Sequence, residues 1–184
     1  MASQLVGLVG LARAGKDTFA ARLVAEHGFT RVAFADPLKE AALALDPIVE
    51  VGVSGHEYRL TDFVASEGWE GAKEWPEIRR TLQHLGVAIR NLDPGFWLYA
   101  AMKRADEVEG PVVITDVRFS NELGYVARRG VSVRIVRPGQ VNSDTHVSEN
   151  ELADAATTFS VVNAGTVADL HAAADEFAAA LTLR

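Results

Sequence analysis

Gln4 to Glu26, QLVGLVGLARAGKDTFAARLVAE, changes its periodicity halfway along. The apolar run Leu5-Val6-Gly7-Leu8-Val9 is too short for a helix and stops at Gly10, so it reads as a buried strand. From Lys16 onward Phe19, Ala20, Leu23 and Val24 recur at helical spacing. The turn between them, Gly10-Leu-Ala-Arg-Ala-Gly15-Lys16-Asp17-Thr18, is G-x-x-x-x-G-K followed by Asp-Thr. It stands in the strand-loop-helix setting that a phosphate-binding loop requires.

The residue types suit that chemistry. Gly10 and Gly15 allow backbone conformations closed to residues with a Cβ, so successive N–H groups can turn inward onto phosphate oxygens. The helix start adds partial positive charge. Lys16 offers an ammonium to the β- and γ-phosphates, and a nearby hydroxyl can bind Mg²⁺. That hydroxyl comes one place late, at Thr18, because Asp17 directly follows Lys16. The variant resembles the G-K-x-T form of nucleoside monophosphate kinases.

The bulk properties narrow the field. A chain of 184 residues fits one domain with a sizeable core. The absence of cysteine excludes disulfides, thiolate metal sites and a cysteine nucleophile, and suits a reducing cytoplasm, the expected location. No apolar run reaches membrane-spanning length, and the N-terminal stretch lacks the basic start of a signal peptide. A net charge of −7 argues against a nucleic acid polymer as partner, although a small anion needs only a local cluster of cations. The five histidines are scattered without an H-x-x-x-H pair, which speaks against a zinc site.

Further along, Thr30 to Phe34 reads as a strand, followed by a helix capped by Asp36, with Pro37 in its first turn, running to about Leu45. Lys39 falls near that helix start and is either a site residue or a solvated surface lysine. From Asp46 to Trp75 the pattern weakens. A short helix near Thr61 to Ser66 with loops around it is expected, forming a substrate-side flap, an oligomer contact or a plain connection. In Pro76 to Gly86 the residues Ile78, Leu82 and Leu85 make one face and Arg79 and Gln83 another, with Gly86 interrupting the run. Arg79 and Arg80 could hold a phosphate, or simply form an exposed basic face. A further helix runs from Asp93-Pro-Gly-Phe-Trp97 to about Asp106, with Trp97 either core or a stacking wall.

Gly110 to Asp116 reads as a strand buried on both faces, with a carboxylate emerging at its C-terminal end. Ligands bind at that edge in doubly wound folds, so Asp116 is the expected Mg²⁺ residue, directly or through water. Arg118 follows, then Asn121 and Glu122 at the start of a helix ending near Gly130. Val131 to Val136 is the next strand, ending in Arg137-Pro-Gly-Gln140. Val141 to Thr145 reads as loop, ordered by His146, with Ser148 to Glu151 as a capping box. Thr158 to Val162 is the last strand, and Thr166 to Asp169 caps a closing helix to about Leu181. The alternation predicts a three-layer α/β fold with a largely parallel five-stranded sheet, one domain over 1–184 with 46–75 as an insertion.

With these residues assembled, the sequence resembles the deoxynucleoside monophosphate kinase family of bacteriophages. The likeness lies in Gly15-Lys-Asp-Thr18, Pro37-Leu-Lys39, Arg79-Arg80-x-x-Gln83-x-Leu85-Gly86, Trp97, Asp116-x-Arg118-x-x-x-Glu122, Val136-Arg-Pro-Gly-Gln140 and Asp144-Thr-His146. It implies ATP-dependent conversion of a deoxynucleoside monophosphate to its diphosphate, with Mg²⁺. By that resemblance Arg13, Ala14, Gly15, Lys16, Asp17, Thr18 and Arg137 serve ATP, and Thr18 and Asp116 the metal. Lys39, Arg79, Arg80, Gln83, Gly86, Trp97, Asp116, Arg118 and Glu122 serve the monophosphate and the transferring group. A homodimer is compatible with this reading. Catalysis would rest on Lys16, Arg118, Asp116 and Arg79, with no general base, since the acceptor phosphate is already anionic near neutral pH. Two rivals share the loop: a P-loop kinase of another phosphorylated metabolite, and a non-catalytic nucleotide-binding module. A GTPase switch is disfavoured because no N-K-x-D signature is present.

Overall fold

β1 (Leu5–Val9) is buried at every position, as an unbroken apolar run at the centre of a sheet should be. The computed structural model describes residues 4–52, 55–140 and 151–182. They form two compact units, Met1–Ala33 with Met102–Arg184, and Phe34–Ala101.

In the first unit β1 pairs in parallel with β5 (Val112–Ile114) on one side and β6 (Gly130–Val136) on the other. β2 (Thr30–Val32) extends the sheet beyond β5, and β7 (Phe159–Val162) extends it beyond β6. The order is β2-β5-β1-β6-β7 and every pairing is parallel. All five strands therefore point the same way, and the chain segments following β1, β5, β6 and β7 emerge at one edge.

Alternation along β1 assigns its faces. Val6 and Leu8 join Phe19 and Leu23 of α1 (Lys16–His27) and Leu170, Ala174 and Phe177 of the closing helix, Val167–Thr182, in one cluster. The Phe19 and Phe177 rings lie 5.7 Å apart, and Phe177 meets Phe159 edge-on at 5.2 Å. Val24 is 40% exposed, so it belongs to the outer face of α1 and not to the buried stripe expected for it. On the opposite face Gly7 makes room for α6 (Ser120–Arg129): a Cβ there would come within 2.9 Å of Val117 and Val126. Helices on both faces of a parallel sheet make the three-layer α/β fold that was expected. Arg22 of α1 donates two hydrogen bonds of 2.9 Å to Asp175 of the closing helix, and His27 pairs with the same carboxylate at 2.8 Å. These partners, Arg22 foremost, hold the Asp175 carboxyl down to about 2.

The second unit consists of α2 (Ala35–Leu45), an antiparallel hairpin of β3 (Ile48–Val51) and β4 (His56–Arg59), α3 (Leu60–Ala72), α4 (Pro76–Leu92) and the start of α5 (Phe96–Asp106). Its core gathers Ala42, Val49, Leu60, Phe63, Ala72 and Ile78. Asp46, left-handed at φ 45°, accepts hydrogen bonds from the Thr61 N–H and hydroxyl, which ties the end of α2 to the start of α3. The closing helix of the chain, Val167–Thr182, is α7 from here on.

Three further expectations are corrected. The region 46–75 is a hairpin and a 13-residue helix, not loops around a short helix. β4 is polar and exposed throughout, so it carries no alternation, and Gly68 (φ 67°, ψ 170°) breaks the helical geometry of α3 in its second half. Gly86 does not interrupt α4, which runs on to Leu92. A Cβ there would sit 3.3 Å from Leu38, so this glycine serves close packing. The helix α2 begins at Ala35, which places Asp36 in its first turn, not at the cap. Val141 to Thr145, His146 and all of the expected capping box but Glu151 lie outside the described residues. The Glu151 carboxylate accepts the Ser120 N–H at 2.7 Å.

Candidate active site

The first turn beyond β1 has the backbone its glycines imply. Gly10 stands at φ 149° with the Ile135 carbonyl where a Cβ would go, and Gly15 stands at φ 107°. Between them Arg13, without a glycine's freedom, is also left-handed at φ 64°. The loop opens α1 at Lys16, so the positive end of that helix dipole faces the turn.

The Lys16 ammonium folds back over the loop, donating to the Gly10 carbonyl at 2.7 Å and the Leu11 carbonyl at 2.8 Å. It is 9% exposed. Burial pushes its pKa down to about 8, the Arg118 guanidinium pushes the same way, and Asp17 and Asp116 oppose. Asp116 and Arg118 are thus among the charges that bear on Lys16.

A cavity of about 230 Å3 opens against the loop. Arg13, Gly15, Lys16, Asp17, Thr18 and Arg137 line one part, and Asn163, Gly165, Thr166, Val167 and Leu170 the rest. The first unit therefore brings together the residues assigned to ATP, apart from Ala14, which is buried beneath the loop at 1% exposure. Asp116 and Arg118 act on Lys16 without lining this cavity. Glu122 is 2% exposed, and its carboxylate accepts the Arg118 N–H at 2.8 Å and the Phe119 N–H at 3.0 Å. Its place is beneath the Arg118 turn, where it also balances the start of α6.

The remaining site residues belong to the second unit. Lys39 is no solvated lysine: its side chain is 15% exposed, 4.0 Å from Asp36, with the ammonium 5.6 Å from the centre of the Trp69 ring. Arg79 and Arg80 are exposed on α4, and Arg80 pairs with Glu77 at 2.6 Å. Gln83 is half-buried on the same helix. Trp97 is core, 6% exposed, and its indole N–H donates to the Gly86 carbonyl at 3.0 Å.

Sequence reasoning missed Asn163, Thr166 and Leu170 at the cavity and Trp69 over Lys39. The rule that singled out Asp116, a polar residue just past the C-terminal end of a parallel strand, applies equally to Asn163 after β7. Trp69 lay in the stretch whose periodicity was too weak to read.

Two solved structures share this fold. TT1252 from Thermus thermophilus is 18% identical and aligns over 98% of this chain and 99% of its own, with a TM-score of 0.51. The dephospho-CoA kinase from Campylobacter jejuni is 14% identical and aligns over 94% of each chain, with a TM-score of 0.50. The parallel sheet with the G-x-x-x-x-G-K turn after its central strand is that of a P-loop kinase. The sequence model for deoxynucleotide monophosphate kinase matches residues 50–173. The "Putative deoxynucleotide monophosphate kinase" of Acanthamoeba polyphaga mimivirus is 32% identical over 163 residues, covering 80% of this chain and 81% of that protein. The chain belongs to the deoxynucleotide monophosphate kinase family, a family of phosphotransferases. No helix among the described residues is long and apolar enough to cross a membrane.

Proposed function

We propose that the whole chain serves one kinase activity, moving the γ-phosphoryl group of ATP to the 5′-phosphate of a deoxynucleoside monophosphate. The observation that carries this reading is the buried Lys16 ammonium in its glycine-bounded loop, with Arg118 and Asp116 acting on it and a cavity alongside. An oxygen of the acceptor phosphate attacks the γ-phosphorus in line, the bond to the β–γ bridging oxygen breaks, and ADP leaves. The attacking oxygen is already anionic near neutral pH, so no side chain has to take a proton from it. Lys16 and Arg118 offset the charge that spreads over the transferring group. The cavity between the loop and Asn163 to Leu170 takes the rest of ATP, with Arg13 and Arg137 at its rim.

The donor set suits Mg²⁺. Thr18 offers a hydroxyl and Asp116 a carboxylate, both hard oxygen donors, and among the described residues no group of three or more His, Cys, Asp or Glu gathers into a protein cage. An ion held by these two residues and by the phosphates would neutralise charge on the β- and γ-oxygens. On the acceptor side, Lys39, Arg79, Arg80 and Gln83 are assigned to the monophosphate, and Gly86 and Trp97 fix α4 through their mutual hydrogen bond.

ADP release measured with each of the four deoxynucleoside monophosphates and the matching ribonucleotides tests the reading. Turnover with at least one deoxynucleotide is expected. Release with none of the eight would overturn it in favour of a metabolite kinase or a binding module. Arg79→Ala is expected to raise the acceptor KM by about 10- to 100-fold, the worth of a lost charge-assisted hydrogen bond, with a smaller change in kcat. Steady-state kinetics at saturating ATP reads both quantities.

A further inference from the structure

We infer that Asn163 and Gln140 are positioning residues of the phosphate loop, holding its carbonyls outward so that its N–H groups converge on a bound polyphosphate. The inference rests on the proposal that this loop binds the ATP phosphates. A turn that points successive N–H groups inward must point carbonyls outward, and each of those needs a donor. The donors are on hand. Lys16 supplies the Gly10 and Leu11 carbonyls, and the Phe19 N–H reaches the Gly15 carbonyl at 3.0 Å. The Ala14 carbonyl is met by the Asn163 side-chain amide at 2.9 Å, and the Ala12 carbonyl by the Gln140 side-chain amide.

Both amides stand just beyond neighbouring parallel strands. Asn163 follows β7, and its backbone N–H continues the ladder to the Val136 carbonyl at 2.7 Å. Gln140 closes the turn after β6, its backbone N–H reaching the Arg137 carbonyl at 3.2 Å. The sheet thus delivers the two donors to opposite flanks of one residue, Arg13. That residue is left-handed at φ 64°, a conformation that persists in a non-glycine residue where its neighbours over-determine it. Two further observations point the same way. A Cβ on Gly15 would lie 2.6 Å from the Asn163 amide nitrogen, so the glycine gives up the space that the amide occupies. The Gln140 side-chain oxygen is buried with no partner among the described residues, so the Ala12 carbonyl is what that side chain secures at the expense of its own acceptor.

Calorimetric titration with inorganic tripolyphosphate, alongside the KM for ATP and for the acceptor, tests this in Asn163→Ala and Gln140→Ala. In each variant the tripolyphosphate affinity should fall, and the KM for ATP should rise, by about 10-fold, the equivalent of one hydrogen bond. The acceptor KM should stay within about twofold, because the loop N–H groups do not serve it. Gln140→Glu, which keeps the shape and loses the donor, should behave like Gln140→Ala. Tripolyphosphate affinity within about twofold of wild type in the alanine variants would overturn the inference, as would an equal loss for both substrates, the mark of general disorder. Should Asn163→Ala fail to fold, Gln140→Ala decides the matter. A wild-type protein that binds tripolyphosphate but transfers phosphate to no monophosphate would sink the proposed function and leave this inference standing.

Discussion

Replacing Lys16 by alanine is expected to lower kcat/KM for transfer by about 1,000-fold or more while leaving the protein folded. The ammonium folds back over the loop and is 9% exposed, so its charge is less screened there than it would be at the surface. Two effects of the change on stability oppose each other. The Gly10 carbonyl loses the ammonium as its donor, at a cost of about 1–3 kcal/mol where water cannot reach it, while the Leu11 carbonyl keeps the Ala14 N–H at 3.2 Å. Against this, the variant no longer bears the desolvation that depresses the lysine pKa to about 8. Because the folded pKa lies below 10.5, the unfolded chain binds more protons between the two values. This residue's penalty is therefore fully present below about pH 8 and is relieved as pH rises from there towards 10.5. The same titration governs the ligand. Phosphates favour the ammonium, so ATP should bind with proton uptake near and above pH 8, and its affinity should decline as pH rises through that value. Calorimetry in two buffers of different ionisation enthalpy measures the uptake, which Lys16→Ala should abolish. Unchanged turnover in that variant would remove the loop from the chemistry.

What could be read from the sequence follows from how local each signal is. The β1-loop-α1 unit was legible because the glycine spacing, the apolar run and the helical stripe lie within one stretch of chain. The position of Asp116 just past the C-terminal end of β5 was legible because that strand is apolar at every position and the carboxylate follows two residues after it. Gly86 misled, since the absence of a side chain marks a helix stop and a close helix contact equally well, and only the position of Leu38 separates them. The β3–β4 hairpin was hidden because both strands have only four residues and the second is exposed throughout, too little for an alternation to be read. Asn163 and Gln140 could not be attached to the loop, because 149 and 128 residues of chain separate them from the carbonyls they meet. Their meeting depends on the parallel register of β6 with β7 and of β1 with β6, which no local pattern encodes.

Arg118→Ala is expected to reduce kcat by about 100- to 1,000-fold and to move the KM for ATP much less, since its charge matters most as the γ-phosphoryl group comes away from ADP. The turn that carries Arg118 is prepared for this. Its N–H and that of Phe119 are both held by the buried Glu122 carboxylate, so the guanidinium starts from a fixed backbone. The substitution has a second consequence with a definite sign. Arg118 is the foremost charge depressing the Lys16 pKa, after burial itself. Removing it should let the lysine hold its proton to higher pH, shifting the decline of ATP affinity upward from its wild-type position near pH 8. A variant that is merely misfolded would lose kcat and ATP affinity together and show no such shift. If kcat is unchanged but the titration moves, Arg118 is a neighbour of Lys16 and takes no part in transfer. If kcat falls and the titration stays where it was, the guanidinium acts on the transferring group without depressing the Lys16 pKa, and the joint arrangement of the two cations proposed for catalysis is wrong.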